Sequence, residues 1–96
     1  MVTHIVFWQL KAEAEGRTKD ENALIIKERL EALVGVIPGL LDASVGRNAN
    51  GGEFDLALVS HLESMEALKA YTVHPAHQKV RAFVHKVVDK RAAVDF

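Results

Sequence analysis

The sequence has no cysteine, only two prolines, one tryptophan and one tyrosine. Without cysteine the chain has no disulfide framework, no thiolate nucleophile and no Cys-type zinc site. Neither sign of charge is in excess, because 12 Lys and Arg stand against 13 Asp and Glu and no run of like charge exceeds two residues. We therefore expect no nucleic-acid partner and no membrane-surface partner.

The remaining composition, 49% apolar and 26% charged residues, is typical of a soluble globular protein, and 96 residues predict one domain over residues 1–96. The apolar run HIVFWQL near the N-terminus is short and lacks a basic region and a cleavage site. It therefore predicts a strand and not a signal peptide, and we expect a cytoplasmic protein.

The first third of the chain predicts a strand followed by a helix. Residues 2–10 alternate with apolar side chains on both faces, which indicates a strand that is covered on both sides. Thr18 and Glu21 have the spacing of a capping box, so a helix should follow. Its apolar stripe is Ala23, Ile26, Leu30, Leu33 and Val34, and Gly35, Pro38 and Gly39 should end it.

The rest of the chain predicts a hairpin, a broken helix and a last strand. LLDASVG and FDLALVSHL flank Asn50-Gly51-Gly52, which is typical of a β-hairpin turn. A short helix should then present Met65, Leu68 and Tyr71 on one side. Pro75 should break it near residues 73–74 and start a new helix. The stripe of that second helix is Val80, Phe83, Val84 and Val87, and the tail from Val88 to Phe96 alternates as a strand.

The resulting order, β-α-β-β-α-β, predicts an α+β ferredoxin-like subunit with a four-stranded antiparallel sheet and helices on one face. The other face of the sheet would then carry large apolar side chains in the first and third strands. The simplest way to cover them is a homodimer in which two sheets pack face to face.

The stretch YTVHPAHQKV, residues 71–80, holds the densest chemistry in the chain. It contains the only tyrosine, Tyr71, together with His74 and His77. His74 precedes Pro75 and is expected to fix the junction between two helices. His74 and His77 are three residues apart, a spacing used by metal ligands, but no Asp or Glu lies between residues 67 and 88, and we predict no metal.

Further candidates lie outside this stretch. His4 shares a strand face with Trp8, and a histidine there is either a satisfied core group or part of a pocket. The simplest interpretation of Trp8 and Phe83 is that they are core or dimer-interface residues, and the alternative is that they form part of a pocket wall. His61 and His85 have polar neighbours and are expected at the surface.

The sequence resembles the stress-responsive dimeric α/β-barrel (Dabb) proteins. The matching pieces are THIVFWQLK, GL…VGRN, FDLALVSHLESMEALKAYTVHPAHQKV and the terminal VDF. The resemblance implies a ferredoxin-like subunit whose sheet forms a barrel with a second subunit. Most members have no assigned reaction, but a few plant members are polyketide cyclases that close a poly-β-keto thioester by aldol condensation without a cofactor. The resemblance carries their tyrosine and histidine to Tyr71 and His77, and adds His4 as a pocket histidine.

This chemistry suits the residues themselves. An aldol closure needs a base beside a carbonyl, for which a neutral histidine is suited, and a donor to the enolate, for which a tyrosine hydroxyl is suited. His74 also matches the family's His-Pro-x-His pattern, whereas cyclising relatives carry a strand-3 histidine where this chain has Leu56. The alternative is that Tyr71 is a core residue and His77 bonds locally.

The favoured hypothesis is a homodimer with a small apolar pocket that performs cofactor-free cyclase or lyase chemistry on a carbonyl-bearing molecule. Two alternatives stay open. One is a non-catalytic stress or assembly protein, and the other is a cofactor-independent monooxygenase or isomerase.

Overall fold

A computed structural model describes residues 1–96 of the chain, which form one four-stranded sheet with helices on one side. The strands of that sheet run antiparallel in the order β4-β5-β1-β6, as a ferredoxin-like fold requires. In chain order the elements are β1 (Val2–Leu10), β2 (Glu13–Ala14), β3 (Arg17–Thr18), α1 (Lys19–Glu31), β4 (Leu40–Arg47), β5 (Leu56–Leu62), α2 (Met65–Val73), α3 (Pro75–Val87) and β6 (Val88–Asp95). The predicted α+β fold is confirmed, and the polar connection after β1 additionally folds into the small β2–β3 ribbon.

The central strand β1 separates the core from the outer face of the sheet. Its side chains alternate, so that His4, Val6 and Trp8 are buried on the helix side. Strand β1 pairs with β5 on one side and β6 on the other, so residues from three strands meet over the same core. This face positions the site described below.

Helix α1 begins as predicted and ends earlier than predicted. Thr18 accepts a hydrogen bond from the Glu21 N–H, and the Glu21 side chain accepts one from the Thr18 N–H, which completes the capping box. The helix ends at Glu31, because tighter three-residue turns replace the α-helical hydrogen bonds as the chain approaches Gly35, where φ is +85°. Of the predicted stripe, Leu33 is buried beyond the helix and Val34 is exposed.

The break between α2 and α3 lies at His74, as predicted. His74 has extended backbone angles and caps both helices, and Pro75 occupies the first position of α3. In α2, Leu68 and Tyr71 are buried, whereas Met65 is exposed because it lies at the first turn, beyond the edge of the core.

The outer face of the sheet carries exposed apolar side chains. Phe7 on β1, Val59 on β5 and Val94 on β6 are each more than a third exposed, and Phe96 just beyond β6 is 72% exposed. Because the helices cover only the opposite face, these side chains form a continuous apolar patch across three strands. None of the helices combines the length and the apolar character that crossing a membrane would require.

Candidate functional site

A cavity of about 180 Å³ lies between the inner face of the sheet and the helices. Four of the residues predicted from sequence line it: Tyr71, His77, His4 and Trp8. They come from α2, α3 and β1, so the fold brings together residues up to 73 positions apart. The apolar part of the wall is formed by Val6, Trp8, Leu30, Leu58 and Val84.

Tyr71 lies in the last turns of α2 and is 2% exposed. Burial raises the pKa of its hydroxyl to about 12, so the group is protonated near neutral pH and is a hydrogen-bond donor. The hydroxyl has no hydrogen-bond partner in the chain. Oδ1 of Asn22 is the only side-chain polar atom that is both fully enclosed and without a partner, so the Tyr71 hydroxyl is accessible from the cavity that its residue lines. Its donor capacity is therefore available to a molecule in the cavity.

His77 lies in the first turn of α3 with its ring against Tyr71. The ring centroids are 4.3 Å apart and the planes are tilted by 39°. Nδ1 of His77 lies 3.1 Å from the carbonyl oxygen of Thr72. A carbonyl oxygen only accepts, so Nδ1 carries the proton and Nε2 keeps its lone pair.

The electrostatic surroundings keep this ring neutral. Burial lowers the pKa of His77, the hydrogen bond to Thr72 raises it, and the positive charges of Arg81, His4 and Arg91 lower it further. The result is a pKa below the ordinary value, which leaves a neutral imidazole beside a protonated phenol at neutral pH. One group is ready to accept a proton and the other to donate a hydrogen bond.

His4 approaches the same pair from the sheet. Its ring centroid is 6.3 Å from that of Tyr71, in an edge-to-face arrangement. Nδ1 of His4 bonds to the carboxylate of Asp95, its direct partner across the β1–β6 pairing. The carboxylate accepts from Nδ1–H, and this fixes the tautomer and orientation of the His4 ring. Asp95 was not identified from the sequence, because the alternation of side chains in the C-terminal strand does not show which residue of β1 lies opposite each of them.

Two of the sequence candidates do not line the cavity. Nδ1 of His74 accepts a hydrogen bond of 3.1 Å from the Ala76 N–H, so this histidine caps α3. Phe83 is half-buried on the side of α3 that faces α1, where its ring lies 4.7 Å from the Arg29 guanidinium. Phe83 packs against the core, which is the simpler of the two roles considered for it, and it does not line this cavity.

Among the basic side chains that line the cavity, Arg81, His85 and Arg91 were not assigned to it from sequence. His85 is exposed, as expected, but it also borders the cavity. Leu56, which stands on β5 where the cyclising relatives carry a histidine, is buried away from this cavity, and Leu58 supplies the β5 wall instead. No group of three or more His, Asp or Glu side chains is arranged to hold a metal ion.

Comparisons with known proteins agree with this fold. A family model described as "Stress responsive A/B Barrel Domain" (Dabb) matches residues 2–96. No curated protein matches the chain by sequence. Among solved structures, a dimeric protein of ferredoxin-like fold from Bacteroides fragilis is 30% identical, with a TM-score of 0.82 over 99% of this chain and 93% of that chain.

Two further structures extend the comparison. A dimeric ferredoxin-like protein from Thermobifida fusca is 26% identical, with a TM-score of 0.81 over 99% of this chain and 88% of that chain. A hydroxynitrile lyase from Passiflora edulis has a TM-score of 0.83 over 99% of this chain and 90% of that chain, but only 16% identity, so this likeness shows the fold alone.

Proposed function

The chain belongs to the stress-responsive A/B barrel (Dabb) family, and from this premise we propose that it is a homodimer whose subunits each bind a small carbonyl compound and remove a proton from the adjacent carbon. The observation that carries the proposal is the contact between Tyr71 and His77 at the cavity. A donor without a partner and a neutral imidazole with a free Nε2 are the two groups that this reaction needs.

In the proposed reaction, Nε2 of His77 takes the proton from the carbon next to the ligand carbonyl. The electron pair of that C–H bond becomes the enolate, and the Tyr71 hydroxyl donates a hydrogen bond to the developing oxyanion. His4, held by Asp95, assists as a second polar group on the opposite wall. The enolate carbon then attacks a second carbonyl and forms a carbon–carbon bond, and the resulting alkoxide takes the proton back from Nε2 of His77, as in a cyclase. Reversal of these steps cleaves that bond, as in a lyase. Each step is a proton transfer or a carbonyl addition, so no cofactor takes part.

The proposed homodimer accounts for the outer face of the sheet. The apolar patch of Phe7, Val59, Val94 and Phe96 would be buried against the same patch of a second copy. Two of the similar solved structures are described as dimeric, which supports this assembly.

The test is deuterium exchange into the methyl group of acetophenone, followed by proton NMR in D₂O. This probe is small, has a carbonyl and exchangeable protons, and needs no second substrate. We expect wild-type protein to accelerate the exchange and His77→Gln to abolish the acceleration. His61→Gln is the matched control, because His61 bonds to Asp42 away from the cavity.

The outcomes separate enzyme from assembly protein. Exchange at equal rates in wild type and His77→Gln would refute the assignment of the base. If acetophenone also left every histidine ring signal unmoved, the cavity would have no role in binding it, and a non-catalytic assembly protein would be the better interpretation.

A further inference from the structure

The charged side chains around the cavity are all of one sign. They are Arg81 from α3 and Arg91 from β6, and no aspartate or glutamate lines the cavity. In a protein with 13 acidic residues against 12 Lys and Arg, this is a local excess of positive charge. Concave sites lined by one sign of charge concentrate ligands of the opposite sign.

Neither arginine has an ion-pair partner within the chain. The ion pairs of the structure use Arg47 and several lysines, but not Arg81 or Arg91. Arg81 Nε lies 3.4 Å from Nε2 of His85, which orients the guanidinium without neutralising it. Asp95, which lies opposite His4 in the β1–β6 pairing, is already bonded to His4. Apart from Arg81 Nε, the donors of both guanidinium groups are therefore free for a carboxylate.

We infer that the ligand of this cavity carries a carboxylate, which Arg81 and Arg91 bind at the edge while the apolar body of the ligand lies against Trp8 and Leu58. This inference rests on the proposed function and narrows its substrate class to small keto acids or related carbonyl-bearing carboxylates. The cavity volume of about 180 Å³ corresponds to roughly six water molecules, which suits a ligand with one ring or a short chain.

Binding of such a ligand should also change the pKa of His77. The positive charges of Arg81 and Arg91 contribute to the lowered pKa of His77. A carboxylate bound between them offsets this charge, so the pKa of His77 should rise when an anion binds and should rise less when a neutral ligand binds. The groups that face His77 in this balance are Arg81 and His85 on α3, Arg91 on β6 and His4, with its bonded Asp95, on the sheet.

The experiment compares benzoylformate with its neutral amide, benzoylformamide. Both have a ring and a ketone, neither has an exchangeable proton beside the ketone, and they differ mainly in charge. We would measure binding by calorimetry and the ring titration of His77 by NMR, for wild type, Arg81→Gln, Arg91→Gln and the control Lys79→Gln. Lys79 is an exposed residue of α3 outside the cavity, and its replacement changes the net charge equally.

We expect benzoylformate to bind wild type at least about tenfold more tightly than the amide, since hydrogen bonds between a guanidinium group and a carboxylate are stronger than those to a neutral amide. Each arginine variant should lose about tenfold for the acid and little for the amide, and Lys79→Gln should behave as wild type. Inorganic phosphate should not displace benzoylformate at equal concentration, because it lacks an apolar body.

Three results would overturn the inference. Equal binding of acid and amide, with shifts of His77 in both cases, would leave a carbonyl-binding cavity without a preference for anions. Displacement by phosphate would indicate a general anion site. Failure of both compounds to bind would count against the carbonyl-binding proposal as well, and the acetophenone exchange would then decide whether that proposal also fails.

Discussion

Replacement of Tyr71 by phenylalanine should separate stability from function. The ring is 2% exposed, and phenylalanine keeps its packing. The hydroxyl has no hydrogen-bond partner in the chain, so its removal breaks no internal bond. Where a buried tyrosine hydroxyl does bond to another group of its protein, removing it leaves that group unsatisfied and typically lowers the free energy of unfolding by about 1–3 kcal/mol. Here we expect the free energy of unfolding to change by less than about 0.5 kcal/mol.

The loss should appear in catalysis instead. Removal of one donor to a developing oxyanion lowers a rate by on the order of 10²-fold, and the deuterium exchange of acetophenone should fall accordingly in Tyr71→Phe. Urea unfolding followed by circular dichroism gives the stability. Tyr71→Ala is the contrasting variant, since loss of the buried ring should cost about 3–5 kcal/mol.

Two results would refute this reasoning. If Tyr71→Phe lost more than about 1 kcal/mol of stability, the hydroxyl would be a structural group and not a free donor. If stability and exchange rate were both unchanged, the hydroxyl would have no role in the proposed chemistry.

Three further predictions concern the pH dependence and the stability of the fold. Burial lowers the pKa of His77 below the ordinary value of 6.5, so the unfolded chain binds a proton at this histidine more readily than the folded protein does. The free energy of unfolding should therefore be highest above about pH 6.5 and should decrease as the pH falls towards the folded pKa. In urea unfolding from pH 8 to about pH 5, this pH dependence should disappear in His77→Gln. Glu31→Ala should lower the free energy of unfolding by about 1–3 kcal/mol in the same assay, because the Glu31 carboxylate accepts a 2.9 Å hydrogen bond from the N–H of buried Val45 and thereby joins α1 to β4. An unchanged free energy of unfolding would mean that water replaces the carboxylate as the acceptor. Gly39→Ala should lower the free energy of unfolding by more than about 1 kcal/mol, because φ is +85° at this position and an added Cβ would lie 2.8 Å from Cβ of Ala67. A thermal midpoint equal to that of wild type would contradict this prediction.

Most of the fold was predictable because its signals are local. Alternation identified β1, the capping box identified the start of α1, and Pro75 identified the break at His74. The errors lie where tertiary context decides. Met65 has the right spacing for the α2 stripe, but it lies beyond the core, and nothing local reveals that.

The candidate site was predictable only in its local part. Tyr71 and His77 are close in sequence, and the family resemblance directed attention to them. The pairing of Asp95 with His4 joins residues 91 positions apart, and the contributions of Arg81 and Arg91 depend on how α3 and β6 pack beside β1. Such contacts are set by strand register and helix packing, which residue patterns within one segment do not specify.

The single-residue junction at His74 has a consequence for how such a site can change during evolution. Tyr71 belongs to one helix and His77 to the next, and only His74 separates the two helices. One residue inserted between Pro75 and His77 would turn the histidine by about 100° relative to the buried stripe of α3 and shift it by about 1.5 Å along the axis. Relatives that keep this chemistry should therefore conserve the number of residues from tyrosine to histidine and diversify their substrates through the cavity wall, at positions such as Leu58, Arg81 and Arg91.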